Sequence, residues 1–148
     1  MTVTELQPGY EEVFTVTDYY DGPRKGIANF RGQPHFYDCI LDEAQDEYSE
    51  LYRLTPISRR IFELAKEDWK IWRKWESAYH SGKVALQSHP ALPQDRARHE
   101  EIRTVLDSAL TTNEAESTVQ RASFERLGSG EDLPGVMRRL QVRWTDAG

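Results

Sequence analysis

Extended-chain patterns lie at both ends of this sequence, and helical patterns lie between them. Residues 12–20 (EVFTVTDYY) are β-branched and aromatic, which predicts a strand. The segments 118–127 (TVQRASFERL) and 139–145 (RLQVRWT) have the same character. Because a sheet must bury one face against another layer, this order is explained most simply if the terminal strands share one sheet and the helices are inserted between them.

Turn residues divide the N-terminal extended region into a meander. Glycine and proline are frequent there, and both are favoured in turns because of the backbone angles they adopt. We predict a turn over residues 21–26, strands over 27–30 and 33–42, an acidic loop over 42–50 and a fourth strand over 51–57.

The middle of the chain has the spacing of two helices. Apolar residues recur three and four positions apart, as on one face of a helix, at Ile57, Ile61, Leu64, Trp72, Trp75 and Tyr79. Thr55 or Ser58 could cap the first helix, and Gly82 is suited to end it. A second helix follows, with Pro93 in its first turn, where a missing N–H group is tolerated.

These segments predict one α+β domain over residues 1–148. We expect an antiparallel, curled sheet of five or six strands with an inserted two-helix hairpin, and an SH3-like half-barrel is one form that such a sheet can take. The predicted ranges are strands at about 12–54, helices at about 57–111 and strands at about 118–145, with a glycine-rich acidic turn over 128–135.

Composition excludes several classes of protein. A hydrophobic fraction of 38% argues against disorder, and a single cysteine excludes an internal disulfide. The net charge is −6, with 4 basic and 11 acidic residues in positions 1–56, which disfavours nucleic acid as a partner. The sequence shows neither a signal-peptide pattern nor an apolar run long enough to span a membrane, so we expect a soluble cytoplasmic protein.

The first functional hypothesis is a non-catalytic binding or adaptor protein that docks a protein partner. Tyrosine and arginine are favoured in interface hot spots, and acidic groups steer a partner electrostatically. The candidate docking surface combines the acidic loop 42–50 with residues that flank the first turn, namely Asp18, Tyr19, Tyr20, Asp21 and Arg24. An exposed edge such as 139–145 could also pair with a second copy to form a homodimer.

The alternative hypothesis is a small enzyme or small-ligand binder. Its cleft would lie between the N-terminal meander and the tryptophan-rich helix, since both carry polar or aromatic residues on faces that otherwise look buried. The residues expected to line this cleft are Asp18, His35, Tyr37, Asp68, Trp72 and Glu76. If Asp68 is instead a structural group, Arg31 or Arg53 of the sheet could pair with it.

Two histidines of the predicted helices are further candidates for chemistry. Glu76 and His80 are four residues apart on the first helix and could form an acid–base pair. His99 lies close to the apolar face of the second helix, which is typical of a packing histidine. Since the sequence contains no complete catalytic set, no phosphate-binding glycine loop and no metal-ligand motif, we expect neither a cofactor nor a metal, and a non-catalytic role is favoured.

Overall fold

The structure is a computed structural model that describes residues 6–127 and 139–147. Its strands are β1 (Glu11–Glu12), β2 (Asp18–Tyr19), β3 (Pro23–Phe30), β4 (Gln33–Asp42), β5 (Glu47–Pro56), β6 (Thr118–Arg126) and β7 (Leu140–Asp146), and its helices are α1 (Arg59–His80) and α2 (Arg96–Ala109). The predicted turn at 128–135 lies outside the described residues. The fold is therefore α+β, with the two helices inserted between β5 and β6.

The strands form one antiparallel, curled half-barrel sheet in the order β1-β7-β6-β5-β4-β3-β2. The N-terminal segment contributes both outer strands. Its residues 11–12 pair with Gln141 and Val142 of β7, Val13 bridges to Ala28, and residues 18–19 pair with β3. One segment thus contacts both edges of the curled sheet, including the C-terminal strand that the sequence left as a free edge.

The described part of the chain contains seven strands, where five or six were predicted. The predicted strand over 12–20 is two short strands, because the backbone N–H groups of Phe14 and Thr15 both donate to the carbonyl of Ile27, at 2.8 and 3.2 Å, and interrupt the regular ladder. The predicted loop over 42–50 is also mostly strand. It is a hairpin in which Asp42 pairs with Glu47.

Each face of the sheet packs a separate core. One face packs against the helices, and its buried residues include Ile27 and Phe36 of the sheet with Ile71, Ile102 and Leu106 of the helices. The other face lines the inside of the curled sheet. Its largest side chains are Tyr37, Tyr52, Phe124 and Trp144, whose ring centroids lie 5.5–6.3 Å apart.

Helix α1 begins and ends close to its predicted positions. The Ser58 hydroxyl caps the N-terminus by accepting from the Ile61 N–H group at 3.2 Å. At the other end Gly82 adopts φ = 76°, a left-handed conformation that glycine reaches without a Cβ penalty. Within the described ranges, neither helix combines the length and apolar character needed to cross a membrane.

Helix α2 is held against α1 by polar contacts as well as by apolar packing. Arg98 donates to both carboxylate oxygens of Glu67, at 2.6 and 2.8 Å. Nearer the end of α1, the Lys74 ammonium lies 2.9 Å from the Asp95 carboxylate. These contacts fix the two helices relative to each other and leave a cleft between them and the sheet.

Candidate functional site

A cleft of about 460 Å³ lies between the N-terminal sheet region and the two helices. This size falls within the range of small-molecule sites. Thr15, Gly26 and Ile27 form its sheet side. Trp69 and Trp72 of α1 contribute aromatic rings, while further apolar and polar side chains come from α2 and the segment before it. The cleft is mainly apolar, with a small group of polar side chains at the helices.

Those polar side chains are Asp68, His99 and Arg103. An Asp68 carboxylate oxygen, Oδ1, lies 2.7 Å from His99 Nδ1, and the two side chains are 13% and 16% exposed. Because an ionised carboxylate accepts but cannot donate, Nδ1 carries the proton in this hydrogen bond. Arg103 Nη1 lies 3.8 Å from the second oxygen, Oδ2, which is an ion pair but is too long for a hydrogen bond.

The aromatic wall is formed by two indoles one turn apart on α1. The rings of Trp69 and Trp72 stack with centroids 4.9 Å apart and an interplanar angle of 29°. Both side chains are half-buried. The Tyr19 ring, which is 58% exposed, also lines the cleft. A planar ligand can therefore contact aromatic rings from both the helix and the sheet.

The structure brings only part of the predicted cleft set together. Of the predicted cleft set, Asp68 and Trp72 line the cleft, and Tyr19 of the predicted docking set lies there too. Asp18 does not line the cleft, because neighbouring strand residues point to opposite faces and Tyr19 takes the position toward it. Asp18 is half-buried and its backbone pairs with Lys25.

Tyr37 and His35 lie on the wrong side of the sheet for the cleft. Tyr37 is fully buried inside the curled sheet, where its hydroxyl donates to the Thr15 carbonyl at 2.8 Å. Burial raises the pKa of this phenol well above its ordinary value. His35 packs against the Phe30 ring, with centroids 5.3 Å apart. His35 and Tyr37 share one face of β4, and the helices cover the opposite face, at Phe36.

Glu76 and His80 occupy different surroundings from the cleft. Glu76 is buried, and its Oε1 accepts a hydrogen bond from Arg73 at 2.9 Å. His80 is exposed at the end of α1, where its ring contacts that of Tyr79. Neither residue lines the cleft, because the C-terminal part of α1 extends beyond it.

Asp68 is paired with α2 and not with the sheet arginines named as candidates. Arg53 lies beside Ser117, with Nη1 3.5 Å from the hydroxyl, and Arg31 stacks over the Phe30 ring. The partners of Asp68, His99 and Arg103, were missed as site residues. These two residues are four positions apart on α2 and lie next to its apolar positions, which indicates that they share one side of the helix. The sequence could not show that this side of α2 packs against Asp68.

Two of the predicted docking residues, Tyr19 and Tyr20, form a second exposed region together with Tyr48 of the β4–β5 hairpin, here called the tyrosine surface. Tyr20 is 71% exposed, and its ring lies 6.3 Å from that of Tyr48. Arg24 holds this region in place. Its Nε donates to the Tyr20 carbonyl at 2.7 Å, Nη2 donates to the Asp21 carbonyl at 2.9 Å, and its guanidinium stacks on the Tyr48 ring.

Arg24 is therefore a structural residue of the turn, and it was not predicted as one. Its Nη1 also lies 3.5 Å from both Cys39 Sγ and the Tyr52 hydroxyl. Asp21 adopts φ = 53°, a left-handed conformation that aspartate tolerates better than most residues. These contacts fix the turn that carries the exposed tyrosines.

Two further observations bear on what the chain can bind. Across residues 6–127 and 139–147, no three His, Cys, Asp or Glu side chains converge as a metal site would require. Comparisons with protein-family models, with curated proteins and with solved structures gave no match.

Proposed function

We propose that this protein binds a small, planar aromatic molecule in the cleft between the sheet and the helices. The observation that carries the proposal is the convergence of stacked indoles and a hydrogen-bonded Asp68–His99 pair in a single cleft of about 460 Å³. Binding sites for small molecules combine mostly apolar walls with a few placed polar groups in this way. The site is held on two helices and a strand, so it needs little ordering on binding.

The test is a ligand-observed NMR titration of quinoline, a neutral planar probe, against four purified proteins. We expect saturation transfer to quinoline from the wild type and from Ser77→Ala, a control at an exposed position of α1. Trp72→Ala should weaken binding roughly two- to tenfold, since an aromatic contact contributes about 0.5–1.5 kcal/mol. Thr17→Trp, which adds bulk at the cleft, should also weaken it.

The second variant protects the test against loss of folding in Trp72→Ala. Thr17 is exposed and lines the cleft, so its replacement adds volume without removing a core side chain. Quinoline that binds all four proteins equally, or none of them, would contradict the proposal.

A second candidate function is docking of a basic protein segment on the tyrosine surface. Its supporting observation is that the exposed rings of Tyr20 and Tyr48 are held by Arg24 beside the acidic β4–β5 hairpin. SH3-like half-barrels dock extended segments on aromatic surfaces, and we propose that this curled sheet is of that kind and is used similarly. Charge on the hairpin would favour a segment rich in arginine or lysine.

Fluorescence anisotropy with a labelled arginine-rich peptide tests this candidate. Binding should weaken as salt is raised, and Tyr20→Ala should weaken it further. Leu86→Ala is the matched control, because Leu86 is also a strongly exposed apolar side chain, at 59%. Equal binding by the two variants, or affinity that does not respond to salt, would contradict docking at this surface.

A further inference from the structure

Asp68 holds the His99 ring in place, and its own carboxylate is not the group that is available to bind a ligand. One carboxylate oxygen accepts from His99 Nδ1 at 2.7 Å, and the other faces Arg103 at 3.8 Å. The carboxylate is 13% exposed. With Nδ1 protonated, the second ring nitrogen of a neutral His99, Nε2, is a hydrogen-bond acceptor. Among the described residues, Nε2 has no hydrogen-bond partner.

Arg103 supplies the complementary donors. Its Nη2 bonds to the Asp107 carboxylate, while Nη1 and Nε have no hydrogen-bond partner within the described ranges. His99 and Arg103 are four residues apart on α2, so they lie on the same side of the helix, and both line the cleft. The cleft therefore presents one acceptor and one set of donors next to each other.

The charges around this pair favour a neutral ligand. The Arg103 guanidinium faces two carboxylates, Asp68 and Asp107, one on each side. Its positive charge is thus already compensated, so an anion gains little there. A cation would in turn meet the guanidinium donors. A neutral group that both accepts and donates fits the pair best, because it can pair with the Arg103 donors and with His99 Nε2 at the same time.

We infer that the ligand of the cleft is a planar heteroaromatic lactam, the chemical class that includes uracil and hypoxanthine, with its C=O accepting from Arg103 and its N–H donating to His99 Nε2. The inference rests on the proposed function and deepens it. The flat ring packs against the stacked indoles of Trp69 and Trp72, which form the aromatic wall of the cleft. A lactam is neutral and carries its N–H donor and its C=O acceptor on adjacent ring atoms, so it can address both side chains at once.

Isothermal titration of the wild-type protein with four small molecules tests the inference. The compounds are 2-quinolinone, its N-methyl derivative, which keeps the carbonyl but lacks the N–H group, quinoline, which lacks the lactam, and the anion 2-naphthoate. We expect 2-quinolinone to bind about tenfold more tightly than the other three, which corresponds to one satisfied hydrogen-bonding group.

Two variants test whether the tighter binding of 2-quinolinone depends on Arg103. Arg103→Met keeps most of the length of the side chain but removes the donors, and should lower 2-quinolinone affinity about tenfold, which is more than it lowers quinoline affinity. Glu100→Met is the control, because Glu100 lies on the same helix, is exposed and does not line the cleft. It should change neither affinity.

The outcomes separate this inference from the function on which it rests. If quinoline binds and 2-quinolinone binds no more tightly, or if 2-naphthoate binds best, the lactam assignment is wrong while ligand binding in the cleft stands. If none of the four compounds binds, both the inference and the proposed function are wrong.

Discussion

At the residue scale, one buried hydroxyl joins the inner core of the sheet to the wall of the cleft. The Tyr37 hydroxyl passes Gly26 and donates to the Thr15 carbonyl at 2.8 Å. Thr15 and Gly26 both line the cleft. Gly26 makes the contact feasible, since a Cβ there would overlap the Thr15 carbonyl and the Tyr37 hydroxyl.

Tyr37→Phe should therefore destabilise the protein although it removes a single oxygen atom. The Thr15 carbonyl would lose its buried donor, at a cost of about 1–3 kcal/mol. Urea unfolding measures this, with Tyr20→Phe as the control, because the Tyr20 side chain is 71% exposed. Equal free energies of unfolding for the two variants would show that the Tyr37 hydroxyl does not contribute to stability.

Gly26→Ala should also be destabilising, for a steric reason. The added methyl group must displace the N-terminal segment or Tyr37, and overpacking of this kind costs roughly 1–3 kcal/mol. Lys25→Ala, at the exposed neighbouring position of β3, should change the free energy of unfolding little. A Gly26→Ala protein as stable as Lys25→Ala would contradict the close packing at this point.

The sequence alone could predict that Tyr37 and Cys39 share a face, but not which face the helices cover. Alternation along a strand assigns side chains to two opposite faces of the sheet, but it does not show which of these faces packs against the helices. Here both sides of β4 are buried, Phe36 under the helices and Tyr37 inside the curl. Hence Tyr37 was expected in the cleft and is found behind it.

At the element scale, ion pairs between α1 and α2 set the position of His99 relative to Asp68. Glu67 and Asp68 are adjacent on α1, and their partners Arg98 and His99 are adjacent on α2. The hydrogen bond from Arg98 lowers the pKa of the Glu67 carboxyl below its ordinary value of 4.5. This pair therefore links helix docking to acid stability.

Glu67→Gln should reduce the free energy of unfolding at neutral pH by a small amount, because the pair is exposed to solvent. A lowered pKa in the folded state means that the stabilisation is present above pH 4.5, the ordinary value, and disappears as the pH falls through the folded-state pKa. Wild type and variant should thus differ in urea unfolding at pH 7 and converge in acid. A difference that persists or grows in acid would contradict this linkage.

The helices were predicted more accurately than the strands, and the reason is physical. A helix satisfies its own hydrogen bonds, so apolar spacing, Ser58 and Gly82 locate it from local sequence. The path of residues 12–20 depends instead on β7, more than a hundred residues away. Local residue preferences predicted an extended chain there but could not show where it leaves one partner strand for the other.

At the scale of the whole molecule, the N-terminal segment holds the curled sheet together at both edges. It pairs with β7 at Glu11 and Glu12 and with β3 from Val13 onward. The same segment forms part of the cleft through Thr15 and Val16. Stability of the sheet edges and shape of the cleft are therefore coupled through one stretch of chain.

Hydrogen exchange tests this role. The N–H groups of Phe14 and Thr17 both donate to β3 carbonyls at 2.8 Å, so they should exchange as slowly as the amides of the central strand β4. The exposed residues 111–116 between α2 and β6 provide the fast reference. Exchange of Phe14 and Thr17 at the rate of that reference would show that the segment opens independently of the sheet.

The sequence predicted a sheet that meets a tryptophan-rich helix, and therefore a cleft between them, but only part of its lining. Asp68 and Trp72 were identifiable because they share a helical stripe. His99 and Arg103 required knowledge of how α2 crosses α1, which depends on contacts between side chains far apart in sequence.

The most direct test of the cleft uses the indole N–H signals of the four tryptophans in a ¹H–¹⁵N spectrum during titration with quinoline. Trp69 and Trp72 line the cleft. Trp75 and Trp144 are internal controls, because their Nε1–H groups donate to Ser88 Oγ at 2.7 Å and to the Asn29 carbonyl at 2.8 Å. Binding in the cleft predicts saturable shifts of the Trp69 and Trp72 signals while those of Trp75 and Trp144 stay in place. Shifts of equal size in all four signals, or no shift at millimolar quinoline, would contradict it.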